Sequence, residues 1–283
     1  MPSPYFLLFE LIIYIQFALC LSHAFKHGTR NLLKLGFGIL FGIMLELATI
    51  RQLNAYEYGQ FFIMVLDVPL CIGVAWSCII YSAMEFSDAS NLPVFLRPVL
   101  DGLLGLNLDL ALDAVAIRFG FWDWGQGLQF QYFGVPYANF WAWFWVVFSF
   151  SLGFRLLNRR ADWFGTWLSA PLAFLVGLFG VLGTNAFIVF VVPDAIRSGL
   201  IGATLALALG LILFLRPKFY LRPVAPLAFW VPFLTHAYVL VAGLISGILF
   251  NPIFLLIVGL VMLAISFVLH SKTIRQILPR SIA

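Results

Sequence analysis

Long apolar runs alternate with short polar segments along this chain. The runs are continuous and do not alternate with polar residues, which predicts membrane-spanning helices and disfavours a transmembrane β-barrel. We therefore expect an all-α fold, a polytopic transmembrane helical bundle of about nine spans. Eight spans are the alternative, because the second run is short and three Asp residues interrupt the fourth. The predicted spans cover residues 5–25, 33–50, 60–82, 99–118, 138–157, 167–192, 196–215, 226–249 and 252–270.

The composition agrees with this pattern. Of the 283 residues, 63% are hydrophobic and only 10% are charged, and the mean hydropathy is +1.03. A soluble domain carries about a quarter charged residues, so a large soluble domain is excluded. The sequence shows no repeat, linker or low-complexity segment. We expect one integral membrane domain over residues 1–283, with a site-bearing part at about 33–145 and an apolar helical part at about 146–271.

The charges predict the orientation of the chain. Cytoplasmic loops carry an excess of Lys and Arg, and the nine-span topology places thirteen of these residues on one side and three on the other. We therefore expect the N-terminus outside and the C-terminus in the cytoplasm, in the cell membrane (the inner membrane, where there are two). The three on the outer side are Arg51, Arg118 and Arg197.

The same counts exclude other classes of ligand. The net charge is +4, but the basic residues are scattered, so we expect no nucleic-acid partner. The three cysteines lie inside apolar runs, where cysteine behaves as a small hydrophobe. No Cys or His spacing is typical of a metal site, and we expect no metal.

Acidic residues inside a membrane are costly and are functional hypotheses by default. Ten of the twelve acids precede residue 124, and the five within predicted spans are Glu46, Asp67, Asp101, Asp109 and Asp113. At the helical rise, three of them (Glu46, Asp67 and Asp113) lie about 6–10 Å below the outer face, on three consecutive spans. A structural role is the alternative, in which Arg51 and Arg118 pair with these acids. An unbalanced acidic group would instead keep one carboxyl protonated, as a proton donor requires.

Aromatic residues are concentrated just after the fourth span, from Phe121 to Trp145. They could form an interfacial belt, a lid whose ring faces stabilise a positive charge, or both. We expect His236, in the eighth predicted span, to be a hydrogen-bonded packing residue and not a base.

A set of short motifs spans residues 37–145 in a fixed order. The chain reads Gly42-x-x-x-Glu46, Tyr56-x-Tyr58-Gly59, Asp67-Val68-Pro69, Trp76, Tyr81, Asp101, Asp109-x-x-x-Asp113, Gly120-Phe121-Trp122-x-Trp124, Tyr132-Phe133-Gly134-Val135-Pro136 and Asn139-x-x-x-Trp143. In this order and spacing the sequence resembles the carotenoid hydratases, such as γ-carotene 1′-hydroxylase and bisanhydrobacterioruberin hydratase. Phe133, Ala142 and Ala114 depart from the family pattern.

The resemblance implies a carotenoid biosynthesis enzyme, a hydro-lyase that adds water to the terminal 1,2 double bond of an acyclic end group. The reaction protonates the alkene, forms a tertiary carbocation and needs no cofactor. We expect Asp109 and Asp113 to be the donor and acceptor, with Glu46 and Asp67 tuning them or holding water. The resemblance further implies substrate contacts at Trp76, Tyr81, Asp101, Trp122, Trp124, Tyr132, Asn139 and Trp143. The expected partners are an acyclic or monocyclic carotenoid, water and membrane lipid, with other carotenoid-pathway enzymes as further candidates.

Two alternatives stay open. A UbiA-like prenyl-transfer enzyme would use an Asp-rich motif, which Asn107-x-Asp109-x-x-x-Asp113 faintly resembles, but such enzymes hold Mg²⁺ and diphosphate between two acidic motifs, and this chain has one. A transporter or carotenoid-binding scaffold would use the acids as a proton relay. It would place polar residues across the whole bilayer, whereas the last four predicted spans are almost wholly apolar.

Overall fold

A computed structural model describes residues 2–53, 55–157, 160 and 162–277 of the chain. Its helices are α1 (Pro4–His27), α2 (Thr29–Leu53), α3 (Leu70–Ser87), α4 (Arg97–Phe119), α5 (Tyr137–Arg155), α6 (Trp163–Ala186), α7 (Asp194–Leu215), α8 (Leu227–Ile245), α9 (Phe254–Leu269) and α10 (Ser271–Ile277). A π-helical segment, Phe187–Val191, continues α6, and a 3₁₀ turn, Ile248–Phe250, precedes α9. The strands are β1 (Glu57–Tyr58), β2 (Met64–Val65), β3 (Val68–Pro69) and β4 (Trp122–Asp123).

The fold is an all-α bundle of membrane helices, as the apolar pattern predicted. Each predicted span overlaps one of the helices α1 to α9. Within the described residues, six helices are long and apolar enough to cross a membrane: α1, α2, α3, α6 with its π-helical continuation, α7 and α8. Helix α9, with 16 residues, is shorter than the roughly 20 residues that a span needs.

The third span was predicted to begin about ten residues too early. Residues 60–69 do not continue into α3; they contain β2 and β3, which pair antiparallel around a turn where Leu66 has a φ of 57°. Pro69 caps the N-terminus of α3, and proline commonly sits at a helix start because it has no N–H to donate. The apolar run from Phe61 to Val65 belongs to this turn and was wrongly counted as part of the span.

Small residues bring the helices of the site into close contact. A Cβ atom added to Gly42 on α2 would lie 2.9 Å from the Cα atom of Gly73 and 2.9 Å from the Cβ of Trp76, both on α3. A Cβ added to Gly102 on α4 would lie 2.7 Å from the ring of Phe144 on α5. Glycine in these positions lets two backbones approach as they do in membrane helix pairs, which fixes α2 against α3 and α4 against α5.

At one end of the bundle, polar residues link the third, fifth and seventh connections between helices. The nine-span topology places these three connections on the same side of the membrane. Asp88 accepts hydrogen bonds from Arg97 and Arg155, and Arg222 lies 3.5 Å away. Arg97 is the first residue of α4, Arg155 is the last residue of α5, and Arg222 lies between α7 and α8, so they border or lie in the third, fifth and seventh connections between helices. Burial raises the pKa of Asp88, but the arginines and Lys34 outweigh burial and hold it below its ordinary value. The meeting of these three loops agrees with the predicted topology; which side is cytoplasmic stays a prediction.

At the other end, two loop segments form a small covering layer. Strand β1 pairs antiparallel with β4, with Tyr58 opposite Trp122, and the Gly59 N–H donates to the Phe121 carbonyl at 3.0 Å. A Cβ on Gly59 would lie 2.3 Å from the Gly120 carbonyl oxygen, so this close backbone approach requires glycine. The pairing places the loop after α2 against the loop after α4.

Candidate active site

A cavity of about 410 Å³ lies inside the bundle beneath this covering layer. Its walls come from α1, α2, α3, α4, α5, α6 with the π-helical segment, and α8, together with the paired loops. Most of the lining is apolar or aromatic, and two carboxylic acids, Glu46 and Asp113, reach it. The aromatic lining residues are Phe9, Tyr56, Tyr58, Trp76, Trp122, Trp124, Trp143 and Phe190.

Three donors hold the carboxyl group of Glu46. The indole N–H of Trp76 donates to Oε1 at 2.6 Å, and the hydroxyl groups of Tyr58, at 2.8 Å, and Tyr56 donate to Oε2. Burial, together with the neighbouring Glu46 carboxylate, raises the pKa of both tyrosines well above the ordinary value. The phenols therefore stay protonated and donate. The three donors therefore orient both oxygens of the Glu46 carboxyl group as hydrogen-bond acceptors.

Asp109 and Asp113 share a single hydrogen-bond donor. The side-chain nitrogen of Asn139 lies 2.7 Å from Oδ2 of Asp113 and 3.1 and 3.2 Å from the two oxygens of Asp109. Asn139 lies in the first turn of α5, where the helix dipole favours negative charge. Both acids are buried, and Oδ1 of Asp113 has no hydrogen-bond partner among the described residues.

In the site without substrate, ionisation of both carboxyl groups is unfavourable. Like charges this close repel each other, and burial penalises each charge. No salt bridge to Glu46, Asp109 or Asp113 occurs among the residues that the structure describes. Repulsion and burial therefore favour a state in which the Asp109–Asp113 pair shares one proton, as paired aspartates do elsewhere.

The structure brings most of the predicted site residues together. Glu46, Asp113, Trp76, Trp122, Trp124, Asn139 and Trp143 line the cavity. Trp76 and Trp143 pack with ring centroids 4.3 Å apart. Asp109 does not line the cavity and lies behind Asp113, joined to it through Asn139.

Asp67 is misplaced in the sequence interpretation. It was predicted about 10 Å inside the membrane, but it lies in the turn between β2 and β3, with 56% of its side chain exposed. Its carboxylate accepts from Arg51 at 2.6 Å. The cause is the early start assigned to the third span, which moved a turn residue into a helix.

Three predicted substrate contacts lie away from the cavity and have other partners. Asp101 is fully buried and pairs with Arg155 at 2.7 Å. The Tyr81 hydroxyl is 2.8 Å from Nδ1 of His23, and Lys34 lies over the Tyr81 ring. The Tyr132 hydroxyl donates to the Leu110 carbonyl at 2.9 Å. Asp101 and Tyr81 thus join helices to one another, and Tyr132 ties the loop before α5 to α4.

The predicted arginine partners of the acids are also different. Arg51 pairs with Asp67 and not with Glu46. Arg118 donates to the backbone carbonyls of Ala114 and Phe133, and not to Asp113. His236, expected to be a packing residue, is buried and lies 3.0 Å from Oδ1 of Asn107.

The sequence interpretation gave no role to several residues of the cavity. Tyr56 and Tyr58 were noted only as part of a motif. Asn185 and Thr235 line the cavity from α6 and α8, outside the range of about 33–145 assigned to the site. The signal that could have identified Asn185 and Thr235 in the sequence is that each is a polar residue within an apolar run. The carboxyl groups show no metal-like clustering: among the described residues, no three His, Cys, Asp or Glu side chains form a candidate metal site.

Comparison with known proteins agrees with the resemblance at the level of the family. Residues 4–213 match the model of the family described as "Carotenoid biosynthesis protein". This match covers most of the chain, and the chain belongs to that family of membrane proteins. No curated protein and no solved structure matches it. The family gives the protein a role in carotenoid biosynthesis, with a carotenoid as the expected substrate class.

Proposed function

We propose that this protein is a carotenoid 1,2-hydratase, which adds water to the terminal double bond of an acyclic carotenoid end group. One observation carries the proposal: an aromatic, apolar cavity inside a membrane bundle is reached by Asp113 and Glu46, which sit in opposite hydrogen-bond environments. Asp113 belongs to a buried acid pair with one proton, whereas Glu46 accepts from three donors. In enzymes, a catalytic acid and base are recognised as two carboxyl groups whose environments favour different protonation states.

Proton transfer begins the reaction at the acid pair. An isolated trisubstituted alkene is a very weak base, so protonation needs a carboxylic acid held next to it in an apolar cavity. Asp113 lines the cavity, and its Oδ1 has no hydrogen-bond partner among the residues that the structure describes. The proton moves from Asp113 to the less substituted alkene carbon, and the electron pair of the double bond forms the new C–H bond. Asp113 is then ionised next to the new carbocation, whose positive charge offsets the second negative charge of the acid pair, and Asn139 donates a hydrogen bond to Asp113.

Water completes the addition at the tertiary carbon. The carbocation lies among indole and phenol rings, whose faces attract a positive charge. The oxygen of water forms a bond to the cationic carbon and loses a proton to the Glu46 carboxylate. Return of that proton to the Asp109–Asp113 pair restores the starting state, so the sum is alkene plus water giving a tertiary alcohol. No oxidant or reductant is consumed.

Expression in a lycopene-producing bacterium tests this proposal. The expected result is a pigment whose mass is greater by one or two waters, formed only when the protein accumulates in the membrane. An Asp113→Asn variant at the same protein level is the negative control. Unchanged lycopene in cells with abundant wild-type protein would contradict the proposal.

A further inference from the structure

One wall of the cavity lies at the lipid-facing surface of the molecule. Phe190, in the π-helical segment, lines the cavity and is nevertheless 72% exposed. The next residue, Val191, is 66% exposed. Because the Phe190 side chain contacts both the cavity and the outer surface of the bundle, it marks the place where the cavity opens to that surface.

The surroundings of this opening are apolar. The π-helical segment ends the apolar stretch Trp163–Val191, of which most of the side-chain surface faces away from the bundle. Asp194, with 87% of its side chain exposed, follows only four residues after Phe190, so the opening is near the membrane–water boundary. Phe190 therefore borders the cavity where the lipid chains approach the aqueous boundary.

The side chain of Arg197 holds the C-terminal end of the π-helical segment. The Arg197 guanidinium donates to the carbonyls of Val189 and Val192 at 2.9 and 3.2 Å. These bonds satisfy carbonyls that the helix leaves free at its C-terminal end. Short π-helical turns inside helices are frequently located at functional sites.

The cavity is too small to enclose a whole carotenoid. A volume of about 410 Å³ lies near the lower end of the range of about 300–1,000 Å³ for sites that bury a drug-sized ligand. A carotenoid has a long, rigid polyene and is much larger than such a ligand. One end group fits inside, and the remaining chain must leave through a wall.

We infer that Phe190 lies at a lateral portal, through which a long isoprenoid chain enters end first from the lipid. The inference rests on the proposed function for the identity of the substrate. The end group reaches Asp113 and Glu46, and the polyene trails past Phe190 into the bilayer. The far end of the substrate stays outside the protein, so a cyclic far end is accepted as readily as an acyclic one.

Thiol labelling tests occupancy of the portal without relying on catalysis. The three native cysteines are fully buried, so Phe190→Cys adds an accessible thiol for a maleimide probe. The matched control is Phe187→Cys, since Phe187 is exposed on the same segment but does not line the cavity. With lycopene at ten times its Kd, about one site in ten is free, and labelling of the Phe190→Cys protein should slow about tenfold. Labelling of the Phe187→Cys protein should not change.

A second pair of variants tests access through the portal. Phe190→Trp adds bulk at the opening and should slow hydration of lycopene about tenfold or more, whereas Phe187→Trp should not. A short acyclic terpene that fits wholly within the cavity should be affected much less by Phe190→Trp. The portal would be rejected if lycopene protected the Phe190→Cys and Phe187→Cys thiols equally and if Phe190→Trp and Phe187→Trp slowed hydration equally. Protection of the Phe190→Cys thiol in a protein that hydrates nothing would instead retain the portal and reject the hydratase.

Discussion

Asp113 and Asp67 are both aspartates of the acidic half of the chain, yet their surroundings are opposite. Asp113 is buried at the cavity wall and shares Asn139 with Asp109, and one of its oxygens has no partner within the described part of the chain. Asp67 is exposed and paired with Arg51. The chemical role proposed for Asp113 follows from this environment and not from the residue type.

Replacing Asp113 should therefore have a much larger effect than replacing Asp67. Asp113→Asn keeps the shape but removes the transferable proton, and general acid catalysis is worth about 10²–10⁴-fold in rate. Asp113→Glu should retain partial activity because the acid is displaced but present. Asp67→Asn removes an exposed ion pair worth about 0–1 kcal/mol and should leave the rate near that of wild type. Initial rates of hydration, per amount of membrane-inserted protein, check this order.

Some outcomes would reassign the donor. If Asp113→Asn hydrates at a near-normal rate and Asp109→Asn is inactive, Asp109 is the proton donor. If both variants hydrate normally, the acid pair is structural. The family resemblance implied this pair, and its four-residue spacing places both acids on the same face of a helix. The sequence could not predict Asn139 as the shared donor, because that contact joins residues 26 and 30 positions apart.

Close contact between α2 and α3 sets the position of Glu46. Gly42 lies one turn before Glu46, and Gly73 lies close to one turn before Trp76, so the contact of the two glycines fixes the bond between Glu46 and Trp76. The continuous apolar runs predicted both helices. It misplaced the start of α3 because an apolar run in a short hairpin has the same composition as the end of a span.

A methyl group at Gly42 should disturb the site. In Gly42→Ala the added Cβ would be 2.9 Å from the α3 backbone, so the helices must separate. Overpacking of this kind costs about 1–3 kcal/mol, and we expect a lower Tm in detergent together with slower hydration. Gly36→Ala is the control, since no atom lies within 4 Å of its added Cβ and alanine favours a helix. Equal Tm values and rates for the two variants would show that the α2–α3 contact does not position Glu46.

Across the whole molecule, the polar residues divide between the two ends. One end carries the ion pairs around Asp88, and the other carries the cavity and its covering loops. The positive-inside rule predicts that the Asp88 end is cytoplasmic, and this orientation would put the cavity in the outer half of the membrane. Sequence patterns predicted which loops share an end, but they could not predict the contribution of α1, α6 and α8 to the cavity, because apolar wall residues carry no local signal.

Orientation can be measured with fusions. A reporter that is active only in the cytoplasm, joined to the C-terminal end of the chain beyond the described residues, should be active. The same reporter joined to the loop between α8 and α9 should be inactive. The reverse pattern would place the cavity in the inner half of the membrane.

The most direct test of the account is isotope incorporation by purified protein in lipid nanodiscs. With lycopene and water labelled with a heavy oxygen isotope, we predict that the product carries that isotope in a new tertiary hydroxyl group. In deuterated water, one deuterium should appear on the adjacent carbon, and Asp113→Asn protein should give neither label. A hydroxylated product whose oxygen does not come from water, or labelling that persists without the Asp113 carboxyl group, would contradict acid-catalysed hydration at this site.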